Sequence, residues 1–324
     1  MEFQKNVSLK DYTAFKIGGR AKYFCRVSTK EELIEAAKFA KKMKLPFFVL
    51  GAGSNLLISD KGYNGVVIKM QNSKTELLKK AKVKMKTKFS SPVKIIAEAG
   101  YSLSKLISNS VSKNLTGMEW AIGIPGTVGG AVYGNAGAFG KSMKDVIKTV
   151  TVLKIPNSLS AQAGKSPACA DRTVCAGRQI PNKIQIKKYK NKECRFGYRD
   201  SIFKKRKDLI IVSATLQLKK GKKKEIGNIM KEYLEYKKKT QPLNFSSAGS
   251  VFKNPKGFFS GELIEKCGLK GKKIGNAKFS EKHANFIINL GGATAQDVKK
   301  LINLAKKSVK KKFGVVLEEE IELL

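Results

Sequence analysis

The sequence contains few of the features that would place a protein in a membrane or outside the cell. Its longest stretch without a charged residue, residues 120–140, is rich in glycine and alanine and has no leucine. A membrane-spanning helix needs about 20 predominantly apolar residues. The N-terminus MEFQKNVSLKDYTAF also lacks the apolar core of a signal peptide. We therefore expect a cytoplasmic protein that does not bind membranes.

Cysteine is scarce, and its spacing forms no pairs. There are five cysteines, an odd number, and no Cys-x-x-Cys motif. They are Cys25, Cys169, Cys175, Cys194 and Cys267. Disulfide frameworks and zinc sites both use cysteines at defined spacings. We therefore expect a reducing compartment and no bound metal.

Acidic residues are few compared with basic ones. The chain has 65 Lys and Arg against 25 Asp and Glu, a formal charge of +40. Such a charge would suit a nucleic acid or another polyanion. However, lysine supplies most of the excess and is spread over nearly every segment, with no aromatic-interleaved basic motif or DNA-reading fingerprint. We predict no nucleic-acid partner, while a general attraction for anionic substrates stays open.

The first part of the chain predicts a compact β-α-β unit. With 324 residues, 42% of them hydrophobic, the chain is long enough for two domains. Strands are expected at residues 23–27, 47–50 and 66–68. Ser28 and Glu31 are predicted to form a capping box for the helix that follows the first strand. The loop GAGSNLL leaves the second strand, where ligand-binding loops are favoured.

The rest of the chain predicts a mixture of helices and strands. The alternation of lysines with mostly apolar residues at 82–89 indicates a strand with one exposed face. The runs TVTVLKI, LIIVSATLQL and VVLEEEIELL indicate further strands. Helices are predicted at residues 103–111, at residues 225–239 and after a cap formed by Thr294 and Asp297. Residues 157–181, rich in small residues and nearly free of lysine, predict an inserted loop without an assigned function.

Glycine is concentrated in one segment. Eight of the 29 glycines lie within residues 117–140. Such a segment brings bare backbone N–H groups close to a partner, and phosphate is the usual partner. Tight turns between buried strands are the alternative explanation. The run GNAGAFGKS has one residue too many for a P-loop, and GAGSNL ends in leucine where the Rossmann motif has glycine, so both motifs are disfavoured.

Seven segments together resemble the UDP-N-acetylenolpyruvoylglucosamine reductase family. They follow one another in the order that this family shows and cover most of the chain except residues 157–181. They are YTAFKIGGRA (residues 12–21), LGAGSNLLISD (50–60), GIPGTVGGAVYGNAGAFG (123–140), CRFGYRDSIFK (194–204), SAGSVFKNP (247–255), LIEKCGLKGKKIGNAKFSEKHANFIIN (263–289) and LEEEI (317–321). One departure is Glu319, where the family commonly has proline.

The resemblance implies an α+β fold: a vanillyl-alcohol-oxidase-like (PCMH-type) FAD-binding domain followed by a smaller α+β substrate-binding domain. The expected FAD-binding region is residues 1–225, with subdomains 1–70 and 71–225, and the C-terminal domain is residues 240–324, whose last strand would carry a catalytic glutamate. The version of the family without an extra tyrosine-bearing loop fits best. The implied cofactor is non-covalent FAD, reduced by NADPH, and the implied partner is a UDP-sugar substrate bound by a monomer.

The resemblance also implies site residues. Ser250 matches the proton donor, and Arg199 and Glu320 match the residues that polarise the substrate carboxylate. Tyr198, Lys253 and Asn254 match positions that contact the UDP-sugar. The positions that would hold FAD are Ile17, Gly18, Gly19, Gly51, Ala52, Gly53, Ser54, Asn55, Leu56, Gly123, Pro125, Gly126, Thr127, Gly129, Gly130, Asn135 and Gly137. His283, the only histidine, lies outside the flavin motifs and is expected to have a structural or substrate-side role.

Two other interpretations stay open from the sequence. A related flavin oxidoreductase for another substrate would share the early glycine segments, but not GYRDS, AGSVFKNP and LEEEI together. A polyanion-binding protein without catalysis, or a variant inactivated by the insert at 157–181, would fit the charge of +40.

Overall fold

The structure is a computed structural model that describes residues 1–71, 74–78, 92–156 and 184–324. The strand predicted at residues 82–89 and the whole insert predicted at residues 157–181 fall in the gaps between these ranges. Two of the cysteines, Cys169 and Cys175, also lie outside the described residues. No helix within the described ranges is both long enough and apolar enough to span a membrane.

The N-terminal unit is a four-stranded sheet with one helix packed against it. Its elements are β1 (Gln4–Ser8), β2 (Arg20–Val27), α1 (Lys30–Lys42), β3 (Phe47–Leu50), β4 (Leu56–Leu57) and β5 (Tyr63–Met70). The strand order is β1-β2-β5-β3. Strand β5 is parallel to both β2 and β3, and β1 is antiparallel to β2. The three predicted strands are therefore confirmed, with β5 inserted between the other two.

The predicted cap of α1 is wrong by one residue. The helix begins after Thr29, whose side chain accepts the Glu32 N–H at 3.1 Å, and Glu32 completes the capping box. Ser28 and Thr29 both suit the capping position, and Glu31 and Glu32 both suit the third helical position. The burial of Leu33, with the alanines at 36, 37 and 40, fixes which register the helix takes.

The middle of the chain forms a mainly antiparallel sheet with helices around it. Its elements are β6 (Thr75–Leu78), β7 (Val93–Glu98), α2 (Leu103–Ser112), β8 (Leu115–Thr116), α3 (Val128–Tyr133), β9 (Gly137–Ala138), β10 (Lys141–Ser142), α4 (Met143–Val146), β11 (Ile147–Lys154), β12 (Gln185–Lys190), α5 (Ile202–Lys205), β13 (Leu209–Lys220) and α6 (Lys223–Thr240). The main strand order is β12-β11-β13-β7-β6. The predicted helices and the strands within TVTVLKI and LIIVSATLQL are confirmed. One hydrophobic core joins this sheet to the N-terminal unit.

The C-terminal part is a smaller antiparallel sheet covered by a long helix. Its elements are β14 (Ser246–Ser250), α7 (Ser260–Lys266), β15 (Lys273–Ile274), β16 (Ala277–Phe279), β17 (Phe286–Asn289), α8 (Ala295–Phe313) and β18 (Glu322–Leu323). The strand order is β14-β17-β16-β15. Thr294 and Asp297 cap α8 as predicted. The core of this part also contains Phe15, Ile17 and Leu57 from the N-terminal unit.

The last ten residues are not the continuous strand that VVLEEEIELL predicts. Only Glu322–Leu323 form a strand, which pairs in parallel with β4. Before it, the backbone changes partner: the Lys253 N–H donates to the Glu318 carbonyl at 2.9 Å, and the Glu320 N–H donates to the Val251 carbonyl at 2.7 Å. Glu320 therefore precedes the last strand instead of lying on it, because the segment first pairs with the C-terminal part and then with β4.

Asp60 connects the N-terminal unit to the start of α8. Its two carboxylate oxygens accept the N–H groups of Ala295 at 2.8 Å and Gln296 at 3.0 Å. The first N–H groups of a helix have no partner within the helix, and the helix dipole favours a negative charge at this end. Asp60 therefore acts as a helix cap supplied from another part of the chain.

We predict that Asp60→Ala lowers the free energy of unfolding by about 1 kcal/mol, the usual loss for a helix cap. Urea denaturation of the cofactor-free protein measures the change. Asp11→Ala is the matched control, because Asp11 lies in the same unit and its side chain makes no hydrogen bond or ion pair with any residue that the structure describes. Equal unfolding midpoints for the wild type and Asp60→Ala would contradict this role of Asp60.

Candidate active site

A cavity of about 740 Å³ lies where the three parts of the chain meet. This volume is typical of a site for a small molecule or cofactor. Its wall contains the loop of residues 51–56, the glycine-rich segment of residues 123–138, the end of α6, and β14. Arg199, Ser250 and Glu320 also line it. The cavity therefore has one wall of bare backbone and another that carries charged and hydroxyl groups.

The loop of residues 51–56 is folded tightly against the chain near Tyr12. Gly53 has a φ of +68°, and a Cβ at this position would lie 2.0 Å from the Tyr12 carbonyl oxygen, so only glycine fits. The Lys69 ammonium donates to the Gly51 carbonyl. In the described structure, no residue accepts the N–H groups of Ala52, Gly53, Ser54 and Asn55. Consecutive unpartnered N–H groups at a cavity form an anion-binding concavity.

The glycine-rich segment is held against the loop of residues 99–103. The Gly129 N–H donates to the Ala99 carbonyl at 2.8 Å, and the Val128 N–H donates to the Tyr101 carbonyl at 2.9 Å. The Ser54 hydroxyl donates to the Pro125 carbonyl at 3.0 Å, which ties this segment to the loop of residues 51–56. Two segments that are far apart in sequence therefore form one continuous backbone wall.

Two neighbouring glycines of α3 serve different purposes. A Cβ on Gly129 would lie 2.8 Å from the Ala99 Cβ, so this glycine is needed for packing within the protein. A Cβ on Gly130 would approach only the Thr127 hydroxyl oxygen, at 3.5 Å. Because Gly130 lines the cavity, the missing side chain leaves room for a bound molecule. A dinucleotide cofactor with a diphosphate fits this wall, since the wall supplies free N–H groups and close backbone access.

Arg199 and Glu320 form an ion pair at the cavity. The Arg199 Nε lies 2.7 Å from the Glu320 Oε1, and the two side chains are 23% and 16% exposed. The buried Nε has no hydrogen bond of ordinary geometry, so the contact is mainly electrostatic. Burial raises the pKa of the Glu320 carboxyl, although Arg199, Lys204 and Lys253 oppose this effect, and the net direction is upward.

The backbone at Arg199 is strained. Its φ is +52°, in the left-handed region that costs a non-glycine residue of order 1 kcal/mol or more. Gly197 and Asp200 pair with each other and leave Tyr198 and Arg199 at the tip of a tight turn. The Asn135 side-chain amide donates to the Gly197 carbonyl at 2.7 Å and anchors this turn to the glycine-rich segment.

Glu320 is positioned through its backbone. Its N–H donates to the Val251 carbonyl at 2.7 Å, and its carbonyl accepts the Asn55 side-chain amide at 3.0 Å. Asn55 belongs to the loop of residues 51–56, and Val251 follows Ser250. The carboxyl group of Glu320 is thereby fixed relative to both walls of the cavity.

Ser250 reaches the cavity through a bulge in β14. The pairing of β14 with β17 shifts register between Ser247 and Ser250, and Gly249 has a φ of +79° within this bulge. Such bulges redirect side chains next to functional sites. The Ser250 hydroxyl has no hydrogen-bond partner among the residues that the structure describes, so it is free to bind a ligand.

The structure brings most of the predicted site residues together. All three predicted catalytic residues line the cavity, as do the predicted cofactor positions at 51–56, 123, 125–127, 129, 130 and 137. Four predicted cofactor residues do not line it. Ile17 is buried in the C-terminal core, Gly18 contacts Ile58, Gly19 lies against Asp60, and Asn135 supports the turn at Gly197.

The predicted substrate residues lie beside the cavity instead of on its wall. Tyr198 is 59% exposed, and its hydroxyl accepts the Asn254 N–H at 3.3 Å. Lys253 forms an ion pair with Glu318 at 3.1 Å. Tyr198 directly precedes Arg199, and Lys253 follows Ser250 by three residues. These three residues therefore form a polar cluster next to the two catalytic candidates, and within it the Asn254 side chain accepts the Ser260 N–H at 3.1 Å.

His283 lies away from the cavity wall. Its Nδ1 accepts the Asn285 N–H at 3.2 Å, and its ring lies 4.9 Å from that of Phe286. Burial is the main cause that lowers its pKa. Asn285 in turn bonds both backbone groups of Phe252. Of the two roles expected for His283, structural or substrate-side, this packing supports the structural one. The described residues contain no group of His, Cys, Asp and Glu side chains able to hold a metal ion.

Several charged residues on the wall were not predicted from the sequence. They are Lys204, Lys207, Lys237 and Glu322. For Lys237, the sequence contained a signal: the residue continues the helix face that contains Ile226, Met230 and Tyr233. A lysine on an apolar helix face is unusual. However, Lys237 is the first of three consecutive lysines at residues 237–239, and such a run is typical of a solvent-exposed helix end.

Comparisons with known proteins agree with this geometry. Residues 21–158 match the family model described as an FAD binding domain, and residues 241–324 match the one described as the C-terminal domain of UDP-N-acetylenolpyruvoylglucosamine reductase. The chain is 41% identical to the UDP-N-acetylenolpyruvoylglucosamine reductase of Caldanaerobacter subterraneus, with 98% of this chain and 92% of that protein covered. It is 38% identical to the same-named protein of Anoxybacillus flavithermus, with 99% and 94% covered.

A solved structure extends the comparison to the fold. The crystal structure of UDP-N-acetylenolpyruvylglucosamine reductase from Thermus caldophilus has a TM-score of 0.73 and 32% identity, with 100% of this chain and 99% of that chain covered. The predicted α+β fold, an FAD-binding domain followed by a smaller domain, is confirmed by these matches.

We predict opposite results for alanine at the two glycines of α3. Gly130→Ala should weaken FAD binding at least tenfold, because its methyl group enters the cavity, while the cofactor-free protein stays as stable as the wild type or gains up to about 1 kcal/mol from helix propensity. Gly129→Ala should destabilise the cofactor-free protein by about 1–3 kcal/mol through overpacking. Flavin fluorescence titration and urea denaturation measure the two effects.

The pair serves as its own control, since both variants add one methyl group to the same short helix. Wild-type FAD affinity in Gly130→Ala would show that this wall does not contact the cofactor.

Proposed function

Since the chain belongs to the UDP-N-acetylenolpyruvoylglucosamine reductase family, we propose that it reduces UDP-N-acetylenolpyruvoylglucosamine to UDP-N-acetylmuramate, a step of peptidoglycan precursor synthesis, with Arg199, Ser250 and Glu320 as its catalytic residues. When bound, FAD supplies the hydride, which it takes from NADPH and delivers to C3 of the enolpyruvyl group. The protein must then stabilise negative charge next to the substrate carboxylate and provide a proton for C2.

One observation supports this assignment above the others. Arg199, Ser250 and Glu320 come from three segments that are far apart in the sequence, and they meet on one wall of a cavity whose other wall is the backbone cradle at residues 51–56 and 123–130. A substrate held by these three side chains would therefore share one cavity with a cofactor held by the backbone cradle. This is the arrangement that hydride transfer requires.

Arg199 and Glu320 are proposed to polarise the substrate carboxylate. A guanidinium stays charged and can bind a carboxylate through two parallel hydrogen bonds. Of the three guanidinium nitrogens of Arg199, only Nε has a charged partner among the described residues. The two terminal nitrogens are therefore available to the substrate. Because burial raises the pKa of Glu320, and a substrate carboxylate would raise it further, Glu320 can hold a proton and share it with that carboxylate.

Ser250 is proposed to donate the proton to C2. Hydride addition at C3 places the electron pair of the double bond on C2 and its carboxylate, and transfer of the hydroxyl proton to C2 completes the reduction. A serine is a weak acid, so its proton must move as this charge develops. Solvent then returns the proton to the serine oxygen.

The cluster beside the cavity is proposed to bind the rest of the substrate. Lys253 provides a cation for the diphosphate, and Tyr198 and Asn254 provide polar contacts to the UDP-sugar. All the proposed groups belong to one chain, so a monomer is sufficient for activity. We propose that the protein acts in the cytoplasm, where nucleotide sugars are made.

Anaerobic reduction followed by reoxidation tests the proposed function. NADPH should bleach the flavin absorbance of the purified protein, and UDP-N-acetylenolpyruvoylglucosamine should restore it with one equivalent of UDP-N-acetylmuramate formed. A flavin that is bleached but not restored by this substrate would instead indicate an oxidoreductase for another substrate. A protein that binds no FAD would contradict the proposal entirely.

We predict that Ser250→Ala separates the two half-reactions. The variant should bind FAD and be reduced by NADPH at the wild-type rate, while reoxidation by the substrate slows by roughly 10²–10⁴-fold, the range for loss of one general acid. Stopped-flow absorbance measures both rates. Ser246→Ala is the control, because Ser246 lies on the same strand, outside the cavity wall, and its hydroxyl makes no hydrogen bond with the residues that the structure describes. An equal loss of reoxidation rate in both variants would argue against proton donation by Ser250.

A further inference from the structure

Lys237 is a buried lysine without an acidic partner. It is only 5% exposed, near the end of α6, and it lines the cavity. Its ammonium group donates one hydrogen bond, to the Ile122 carbonyl at 2.6 Å. Among the described residues it forms no ion pair. Two of its three donor positions therefore have no partner within the described protein.

The surroundings of Lys237 supply no opposite charge. Its Cδ would lie 3.4 Å from a Cβ at Gly123, and its ammonium lies 5.7 Å from the centre of the Phe139 ring. The charged side chain that acts electrostatically on the Lys237 ammonium is Arg199, which is also positively charged.

The other titratable groups near Lys237 contact other residues. Glu119, on a short 3-10 helix (Glu119–Ala121) that packs against α6, accepts the Gly117 N–H with both carboxylate oxygens, at 3.1 and 2.9 Å. Tyr233 and Tyr236, on the same helix as Lys237, contact the Phe139 ring instead. Glu320 is paired with Arg199. None of these groups compensates the charge of Lys237.

An ammonium group buried without a counter-charge is unfavourable, because it loses its hydration and gains little in return. Accordingly, burial first and Arg199 second lower the pKa of Lys237 to about 8. A methionine or leucine would fill the same position on the buried face of α6 without this penalty. The charge therefore requires an explanation outside the packing of the protein itself.

We propose that Lys237 provides the counter-charge for an anionic oxygen of a molecule bound in the cavity, next to Arg199. This inference rests on the proposed function, which offers two sources of such an oxygen: the negatively charged pyrimidine ring of reduced flavin and the carboxylate of the substrate. Both are delocalised anions, and Lys237 and Arg199 line the cavity that would hold them.

Three variants separate charge from hydrogen bonding. Lys237→Gln can still donate to the Ile122 carbonyl but carries no charge, Lys237→Arg keeps the charge, and Lys237→Met removes both. Lys238→Gln is the matched control, because Lys238 is the next residue, is exposed and pairs only with Glu235. If Lys237 merely anchors Ile122, Lys237→Gln should behave as the wild type.

The first measurement is the flavin midpoint potential of the FAD-loaded protein without substrate. If the anion is reduced flavin, Lys237→Gln and Lys237→Met should disfavour the reduced form about tenfold at pH 7, which is about 30 mV for a two-electron couple. Lys237→Arg and Lys238→Gln should keep the wild-type potential. This measurement does not depend on the identity of the substrate.

The second measurement is the affinity of the oxidised protein for UDP-N-acetylmuramate between pH 7 and pH 10. If the anion is the carboxylate, wild-type affinity should be constant below about pH 8 and then fall about tenfold per pH unit, because Lys237 must bind a proton before it binds the anion. Lys237→Arg should stay tight over the whole range. The affinity of Lys237→Gln should be weak, and it should not show the fall above pH 8 that ionisation of Lys237 causes in the wild type.

Either result supports the proposal and identifies the source of the anion. A Lys237→Gln variant with wild-type potential and a wild-type pH profile of affinity would overturn it, whatever happens to Lys237→Met. If the wild type itself fails to bind UDP-N-acetylmuramate, the proposed function fails, but the potential of the variants still tests the role of Lys237.

Discussion

The site depends on one contact of the chain with itself: the C-terminal segment returns to the N-terminal unit and places Glu320 beside Arg199. The Glu320 backbone bonds Val251 on one side and the Asn55 side chain on the other, and the next residues join β4. This crossing fixes the carboxyl 2.7 Å from the Arg199 guanidinium. Without it, the backbone cradle and the reactive side chains would belong to separate parts of the molecule.

The cavity separates two tasks that place different demands on sequence. Cofactor binding uses backbone N–H groups and needs glycine for close approach, as at Gly53 and Gly130. The proposed catalysis needs a charged group and a hydroxyl group in a partly buried place: the strained turn positions Arg199, and the bulge at Gly249 positions Ser250. Burial raises the pKa of Glu320 and lowers that of Lys237, so both groups are held in an environment that disfavours their charged forms.

Local sequence patterns predicted the helices and most strands because each pattern reports burial along a single element. They failed at the cap of α1, where two neighbouring residues suit the capping position equally well. They also failed in the final segment around Glu320, where the backbone pairs with residues that are distant in the sequence. The catalytic candidates came from resemblance to a family, since no spacing links Arg199, Ser250 and Glu320. Lys237 was missed because its role depends on a cavity that only the folded chain creates.

A double-mutant cycle on Arg199 and Glu320 tests most directly whether these residues act as one unit on the substrate. The quantity measured is the rate at which UDP-N-acetylenolpyruvoylglucosamine reoxidises the NADPH-reduced flavin in Arg199→Met, Glu320→Gln and the double variant. If the two residues act as one unit, the double variant is hardly slower than the slower single variant, which corresponds to a coupling of about 1–3 kcal/mol. If the rate losses of the two single variants multiply in the double variant, the two residues act independently, which would contradict their action as one unit.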